Sequence, residues 1–356
     1  MSRNSTVKKK KVIVAMSGGV DSSVSAALLK KAGFDVIGIF MKCWSADDPM
    51  GENCTSSDDE RMARLAAHKI GIPFYSINLI KEYRQRVVQY LLDGYKKGIT
   101  PNPDIMCNKE IKFGLFFDKA MELGVDYVAT GHYARVHKGS IFMAKDQNKD
   151  QSYFLSFIKP EVLDKVMFPI GDYTKPEVRK LAKKFGLPNA ERKDSQGICF
   201  LGKIPFDKFL EYHLGKRPGK LIEYETRKVL GEHSGFWYFT VGQRRGIKLS
   251  GGPWYVVAKN PETNEVFISH GEHHEELARD SFIVSGLNWI AGAAPEKTKL
   301  SVKIRHGAKL YPATVEFLEN DKLKVSLKEK DQGIASGQFA VFYDGEYCLG
   351  GGVISG

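Results

Sequence analysis

Cysteine is scarce in this chain and does not pair by spacing. There are five, Cys43, Cys54, Cys107, Cys199 and Cys348. The number is odd and no two form C-x-x-C, so neither a disulfide scaffold nor a zinc ribbon is indicated. Long apolar runs are also missing: none reaches the ~20 residues of a membrane span, and no membrane partner is expected. The segment from Met1 to Lys10 is short, polar and basic, without the apolar stretch of a signal peptide. These absences place the protein in the cytoplasm, where thiols stay reduced and a disulfide would be transient and catalytic. The Asn-x-Thr sequons at Asn4 and Asn53 carry no meaning in that compartment. Internal repeats and low-complexity segments are absent. Acidic residues are outnumbered, with 42 Asp and Glu against 53 Lys and Arg. The resulting net charge of +11 favours a polyanionic partner.

What is present is the composition of a globular protein, 42% hydrophobic and 27% charged over 356 residues. That length suffices for two or three domains with their own cores. The most informative stretch is Lys11–Met16 followed by Ser17-Gly18-Gly19-Val20-Asp21-Ser22. A β-branched apolar run ends in two glycines, and Val20, Val24, Ala27 and Leu28 then recur at helical spacing. This reads as strand, tight turn and helix. Such a turn presents backbone N–H groups at a helix N-terminus, where an anion is stabilised. Gly18 and Gly19 let a phosphate approach closely and can adopt positive φ. The loop has no lysine, so it is not a Walker A loop. Asp21 would repel a phosphate unless Mg²⁺ sat between them.

A second buried-type strand, Asp35–Met41, follows, and a parallel sheet with helices on its faces is expected. Ligands in such sheets sit beyond the carboxyl ends of the strands, where Met41, Lys42, Trp44 and later Gly131-His132-Tyr133 fall. A helix over Ser57–Ile70 would bury Met62, Leu65, Ala66 and Ile70. Asp104 and Cys107, three apart after a Pro-rich loop, would share one helix face. Cys107 near a helix N-terminus, beside Lys109 and Lys112, reads either as a favoured thiolate or as a buried structural cysteine. Thr174 caps a basic amphipathic helix over residues 174–186. From about Ile204 short strands and basic turns replace the βα pattern. Gly215–Lys220 and Gly242–Gly246 are exposed basic turns, and Trp237-Tyr238-Phe239 beside the second suits RNA through base stacking, or else forms a small core. From about Arg279 the chain reads as a small β-barrel, with Val302 and Ile304, Val315 and Phe317, and Leu323, Val325 and Leu327 alternating inward. Gly350–Gly352 closes a strand against a near neighbour.

The loop from Ala15 to Ser22 resembles the PP-loop of N-type ATP pyrophosphatases, which cleave ATP to AMP and pyrophosphate. The wider set of segments resembles one family, the bacterial tRNA-specific 2-thiouridylases. The segments are A-M-S-G-G-V-D-S at Ala15–Ser22, N-P-D-I-M-C at Asn102–Cys107, T-G-H-Y-A-R at Thr130–Arg135 and K-D-Q-S-Y-F-L at Lys149–Leu155. They continue with D-S-Q-G-I-C-F at Asp194–Phe200, F-T-V-G-Q-R-R-G at Phe239–Gly246 and C-L-G-G-G at Cys348–Gly352. The resemblance implies an α/β PP-loop domain over residues 1–203, a small β-rich tRNA-contacting domain over 204–278 and a C-terminal tRNA-binding β-barrel over 279–356. It implies that Ala15, Met16, Ser17, Gly18, Gly19, Val20, Asp21, Ser22, Met41 and Gly131 hold ATP, with Mg²⁺ on its phosphates. Asn102, Pro103 and Asp104 would approach the target base, the wobble uridine of certain tRNAs, with Asp104 as acid/base. Cys199 would carry sulfur as a persulfide received from a donor protein, and Cys107 would resolve it through a transient disulfide. His132, Lys149, Asp150, Gln151, Arg305, His306 and Gln338 would contact tRNA.

The chemistry agrees with the residue types. Oxygen at uridine C2 leaves poorly, adenylation makes it a good leaving group, and an ionised persulfide is a strong nucleophile that a second thiol can resolve. The rivals are a PP-loop amidotransferase or synthetase using a nitrogen nucleophile, which needs no reactive cysteine pair, and a non-catalytic RNA-binding protein, against which the intact Ser17–Ser22 loop argues. Cys43, where many relatives carry another polar residue, is given no role.

Overall fold

The computed structural model describes residues 9–45, 55–194, 204–274, 277–307 and 309–355. They form two compact units, one of Met1–Tyr83 with Cys107–Lys203 and one of Arg84–Met106 with Ile204–Gly356. Among the described residues no helix is long and apolar enough to cross a membrane.

The first unit is an α/β layer structure. Its chain runs β1 (Lys11–Ala15), α1 (Val20–Lys31), β2 (Asp35–Lys42), α2 (Ser56–Ile70), β3 (Phe74–Asn78), β4 (Tyr127–Ala129), β5 (Val166–Met167) and α3 (Lys175–Lys184). The strands pair in parallel in the order β3-β2-β1-β4-β5. β1 is central, with Ile13 between Ile37 and Val128, and is buried from Val12 onward. A strand covered on both faces needs an unbroken apolar run, which Val-Ile-Val-Ala supplies. Because α1 leads from β1 to one neighbour while β4 lies on the other side, the chain diverges at the carboxyl end of β1. A crevice opens at such a switch point.

One face of the sheet packs Val12, Val14 and Met16 against Ala63, Ala66 and Ala67 of α2. The buried stripe of α2 is thus made of alanines, and Leu65, expected inside, is 42% exposed. Small side chains let the helix approach the sheet closely, which turns the larger residues outward. On α1, Val20 and Val24 pack with Tyr133, Ile170, Val178 and Ala182. Lys30 and Lys31 end that helix, where its dipole favours cations.

The second unit contains a continuous helical run from Arg84 to Lys96, a helical turn Pro103–Met106 and a helix not anticipated from the sequence, α4 (Phe206–Leu214). Phe209 and Leu210 form its buried face, and Phe206 lies 5.6 Å from Tyr95 ring to ring. A four-stranded sheet follows, β6 (Gly219–Glu223), β7 (Val229–His233), β8 (Trp254–Asn260) and β9 (Glu265–His270), in the order β8-β9-β6-β7. Then come β10 (Arg279–Trp289), β11 (Lys299–Lys303), β12 (Tyr311–Leu318), β13 (Lys322–Asp331), β14 (Phe339–Asp344) and β15 (Tyr347–Ser355). They pair antiparallel in the order β10-β13-β12-β11-β14-β15, and β15 returns to β10, closing a barrel. On β13, Leu323, Val325 and Leu327 point inward and the intervening Lys324 and Ser326 outward. Phe317 is 44% exposed rather than in the core, since the inward register of β12 is kept only by Tyr311, Ala313 and Val315.

Barrel closure depends on Gly350–Gly352. A Cβ on Gly350 would lie 2.0 Å from the Asn288 carbonyl oxygen, and its φ is +126°. Gly351 and Gly352 are equally crowded, by Ala340 and Val284. Replacing Gly350 by Ala should destabilise the protein by at least about 2 kcal/mol. Gly345→Ala, at φ +60° with no atom within 4 Å, should cost only about 1 kcal/mol. Thermal melts of the two variants measure the contrast.

Candidate active site

The loop after β1 is held from behind by side chains far away in sequence. Met16 still follows the strand, its N–H bonded to the Ile39 carbonyl at 2.8 Å. Gly18 then turns with φ +78°, and a Cβ there would lie 2.3 Å from the Asp59 carbonyl oxygen. Gly19, expected to share that freedom, is extended at φ −77° and is the N-cap of α1. Asn189 is buried at 1% exposure and its Nδ2 donates to the carbonyls of Gly18 and Gly19 at 3.0 and 3.1 Å and to Ser23 Oγ at 2.9 Å. Arg192 donates to the Gly18 carbonyl at 3.2 Å and pairs with Asp59. Peptide planes are rigid, so tying these two carbonyls to one side directs the next N–H groups to the other. No side chain caps α1. The turn therefore leads into the uncapped N-terminus of a twelve-residue helix, the kind of place where a negative charge is stabilised. Gly131, after β4, closes on the first turn of α1: a Cβ there would stand 2.6 Å from the Ser22 nitrogen.

Asp21 is not left to repel an anion alone. Lys175 Nζ donates to its two carboxylate oxygens at 2.8 and 2.9 Å, and the Tyr133 hydroxyl donates to Oδ1 at 3.0 Å. The same ammonium reaches Asp194 at 2.8 Å, which also pairs with Arg179 at 2.7 Å and Lys149 at 2.9 Å. Burial opposes ionisation of Asp194, but the bonds from Lys175 and Lys149 outweigh it and hold the carboxyl down at about 2. Burial and the neighbouring Asp21 push the Tyr133 phenol far up, so it stays a donor. Sequence reasoning passed over Lys175, Asn189 and Arg192. Lys175 had one local signal: it is a cation at the first position of a helix, where the dipole disfavours it, behind the Thr174–Glu177 capping box.

Other residues singled out from sequence are engaged internally. His132 is 8% exposed, with Nδ1 2.6 Å from Thr130 Oγ1 and Nε2 3.4 Å from Lys112 Nζ. An ammonium only donates, so Nε2 accepts and Nδ1 carries the proton. Burial, then Lys112, holds its pKa well below the usual value, so the ring is neutral. Asp150 accepts bonds from Ala144 and Ser152, and Gln151 exchanges bonds with the Tyr133 backbone. Met41 is the penultimate residue of β2 and pairs with Ile77. Cys107 is 3% exposed and opens a π-helical segment, Cys107–Leu115. Helical structure begins at Pro103, and Asn102 Oδ1 caps it through the N–H groups of Asp104 and Ile105, both at 3.1 Å, so Cys107 lies one turn from a helix start. Lys112 faces His132 and Lys109 lies over Phe157. Cys199, with Ser195–Phe200, lies outside the described residues.

In the second unit, Arg305 and Gln338 line a cavity of about 800 Å³ together with Gly242 and Gln243 of the basic turn. Arg305 grips Asp331 with both nitrogens, at 2.9 and 2.8 Å. His306, Arg244 and Arg245 are exposed. Trp237 and Phe239 are only 8% and 6% exposed, so the expected base-stacking platform is instead the small core.

Family models match three consecutive segments: tRNA methyl transferase HUP domain over residues 10–203, tRNA methyl transferase PRC-barrel domain over 207–270, and aminomethyltransferase beta-barrel domain over 279–354. The chain is 46% identical over 357 residues to tRNA-specific 2-thiouridylase MnmA of Staphylococcus aureus strain bovine RF122 / ET3-1, covering 97% of this chain and 95% of the relative. The MnmA of strain JH9 matches to the same extent. Among solved structures, a 4-thiouridine synthetase–RNA complex with bound ATP is similar at 20% identity and a TM-score of 0.38, over 57% of this chain and 50% of that one.

Two outcomes follow from this geometry. Asn189→Ala removes one buried donor from the Gly18 and Gly19 carbonyls, which keep Arg192 and the Ser22 and Ser23 hydroxyls, and should cost about 1 kcal/mol of stability in a denaturant titration. His132 has its pKa lowered on folding, so the unfolded chain binds the extra proton. Stability is full above pH 6.5 and falls as pH drops below it, with a slope of up to about 1.4 kcal/mol per pH unit. His132→Gln should flatten the pH dependence of the melting temperature in that window.

Proposed function

The chain belongs to the tRNA-specific 2-thiouridylase family, and from that premise we propose that it thiolates the wobble uridine of tRNA at C2, using ATP to activate the oxygen. The observation that carries the nucleotide half is the loop Ser17–Ser22, whose Gly18 and Gly19 carbonyls are tied back by Asn189 and Arg192 at a helix N-terminus that no side chain caps. Such a helix N-terminus fits the triphosphate of ATP, and Gly131 lets the loop after β4 pack directly against it.

The C2 oxygen attacks the α-phosphorus of ATP, its bond to pyrophosphate breaks, and AMP is left on the base. The loop N–H groups and the dipole of α1 stabilise the departing negative charge. Mg²⁺ carried by the phosphates would screen the same charge. The residues present fit a metal held by the nucleotide rather than a protein cage, since Asp21 is already balanced by Lys175. Asp104 serves as acid/base, and Asn102 and Pro103 position the uridine.

Cys199, loaded as a persulfide by a sulfur-donor protein, supplies sulfur to C2, and AMP leaves with the original oxygen. Whether the outer sulfur attacks directly or departs first as hydrosulfide, Cys107 attacks the Cys199 sulfur. One Cys107–Cys199 disulfide results per sulfur delivered, and a thiol reductant restores it. Residues 1–203 are assigned the nucleotide chemistry, and 204–278 and 279–356 the tRNA contacts. Arg305, His306 and Gln338 are assigned to those contacts, His132, Lys149, Asp150 and Gln151 of the first segment are assigned further tRNA contacts, and the reaction is assigned to the cytoplasm.

Mass spectrometry of nucleosides from tRNA incubated with the protein, ATP and a persulfide source tests this. The expected product is 2-thiouridine, dependent on ATP and lost in Cys199→Ser and Cys107→Ser. A Cys199→Ser protein that still turns over ATP into product would favour a synthetase with a nitrogen nucleophile and refute the proposal.

A further inference from the structure

Lys175 is the least expected feature of the first unit. It is 8% exposed, stands at the first position of α3 and bridges two carboxylates that come from opposite ends of the unit, Asp21 and Asp194. Its ring neighbour is Tyr133, 5.8 Å away, and its own N–H is fixed by Asp146 at 2.9 Å. Burying a cation at a helix N-terminus works against both desolvation and the helix dipole. A fold needing only cohesion there would be served as well by apolar side chains. The carboxylate that Lys175 neutralises is the one acid of the turn that receives phosphate.

We propose that Lys175 is a positioning residue of the nucleotide site, supplying in trans, through Asp21, the positive charge that the lysine-free loop lacks. It rests on the nucleotide reading above. Lys175 acts on the phosphate end alone. It fixes the Asp21 carboxylate against Tyr133 and α3, cancels its charge, and keeps the first turn of α1 electropositive. Asp194 holds the ammonium in place from the far side, backed by Arg179 and Lys149. Without Lys175, two carboxylates would face each other beside the turn, and a triphosphate would meet an uncancelled negative charge.

The test compares ligands that differ only in their phosphates. Equilibrium binding of ATP and of adenosine is measured on the full chain, for wild type and Lys175→Met, below the melting temperature of both. ATP affinity should fall about tenfold to a hundredfold, the worth of a charged hydrogen bond. Adenosine affinity should stay within about twofold. If Lys175→Met does not fold, Lys175→Gln, which keeps donors but no charge, should give the same split. Equal losses for both ligands would show a structural role, and unchanged ATP affinity would show none; either overturns the inference. Failure of the wild type itself to bind ATP would instead strike the nucleotide reading.

Discussion

Everything at the candidate site depends on one buried amide. Asn189 spends both hydrogens of its NH₂ group on the backs of Gly18, Gly19 and Ser23, and that fixes which way the loop peptides point. Within the turn itself only serine hydroxyls hold the backbone, with Ser22 and Ser23 Oγ donating to the Gly19 carbonyl. Left alone the turn would sample many conformations, and a phosphate would bear the entropy of ordering it. With the carbonyls held from behind, the N–H groups are set before any ligand arrives, which is the condition for electrostatic stabilisation at small reorganisation cost.

The rest of the first unit serves the same end. α1 buries Ser22, Ser23 and Ser25 along with Val20 and Val24, so the helix that presents its N-terminus is enclosed on nearly every side. Alanines on α2 let it lie close to the sheet, and Asp59 at its start both crowds Gly18 and anchors Arg192. Gly131 brings the neighbouring strand's loop against Ser22. Charge is arranged with equal economy: Lys175 serves Asp21 and Asp194, and Lys149 and Arg179 complete the balance around Asp194. The second unit repeats the theme of committed polar groups, with Arg305 locked on Asp331 beside its cavity.

What was legible in the sequence was local. The strand, turn and helix from Lys11 to Lys31 could be read because periodicity and glycines lie within one window, and the inward alternation of Leu323, Val325 and Leu327 because a strand repeats every two residues. The side chains that hold the loop could not be read, since Asn189 and Lys175 meet it from more than 150 positions away. Residue types misled where burial decides their role. Trp237 and Phe239 suggest stacking beside a basic turn, yet they form a core, because a sheet of four short strands needs large side chains to cover it. Leu65 fits the helical stripe of α2 but loses its place to alanines. The helix start near Cys107 could be read because Pro103 fits the first helical position, four residues before the thiol.

The account stands on activation of an oxygen by transfer of AMP to it. Transfer RNA carrying ¹⁸O at the C2 oxygen of the wobble uridine, turned over with ATP and a sulfur source, tests that directly by mass spectrometry of the released nucleotide. The label is predicted in AMP and absent from pyrophosphate. Unlabelled AMP, or cleavage of ATP to ADP and phosphate, would contradict it.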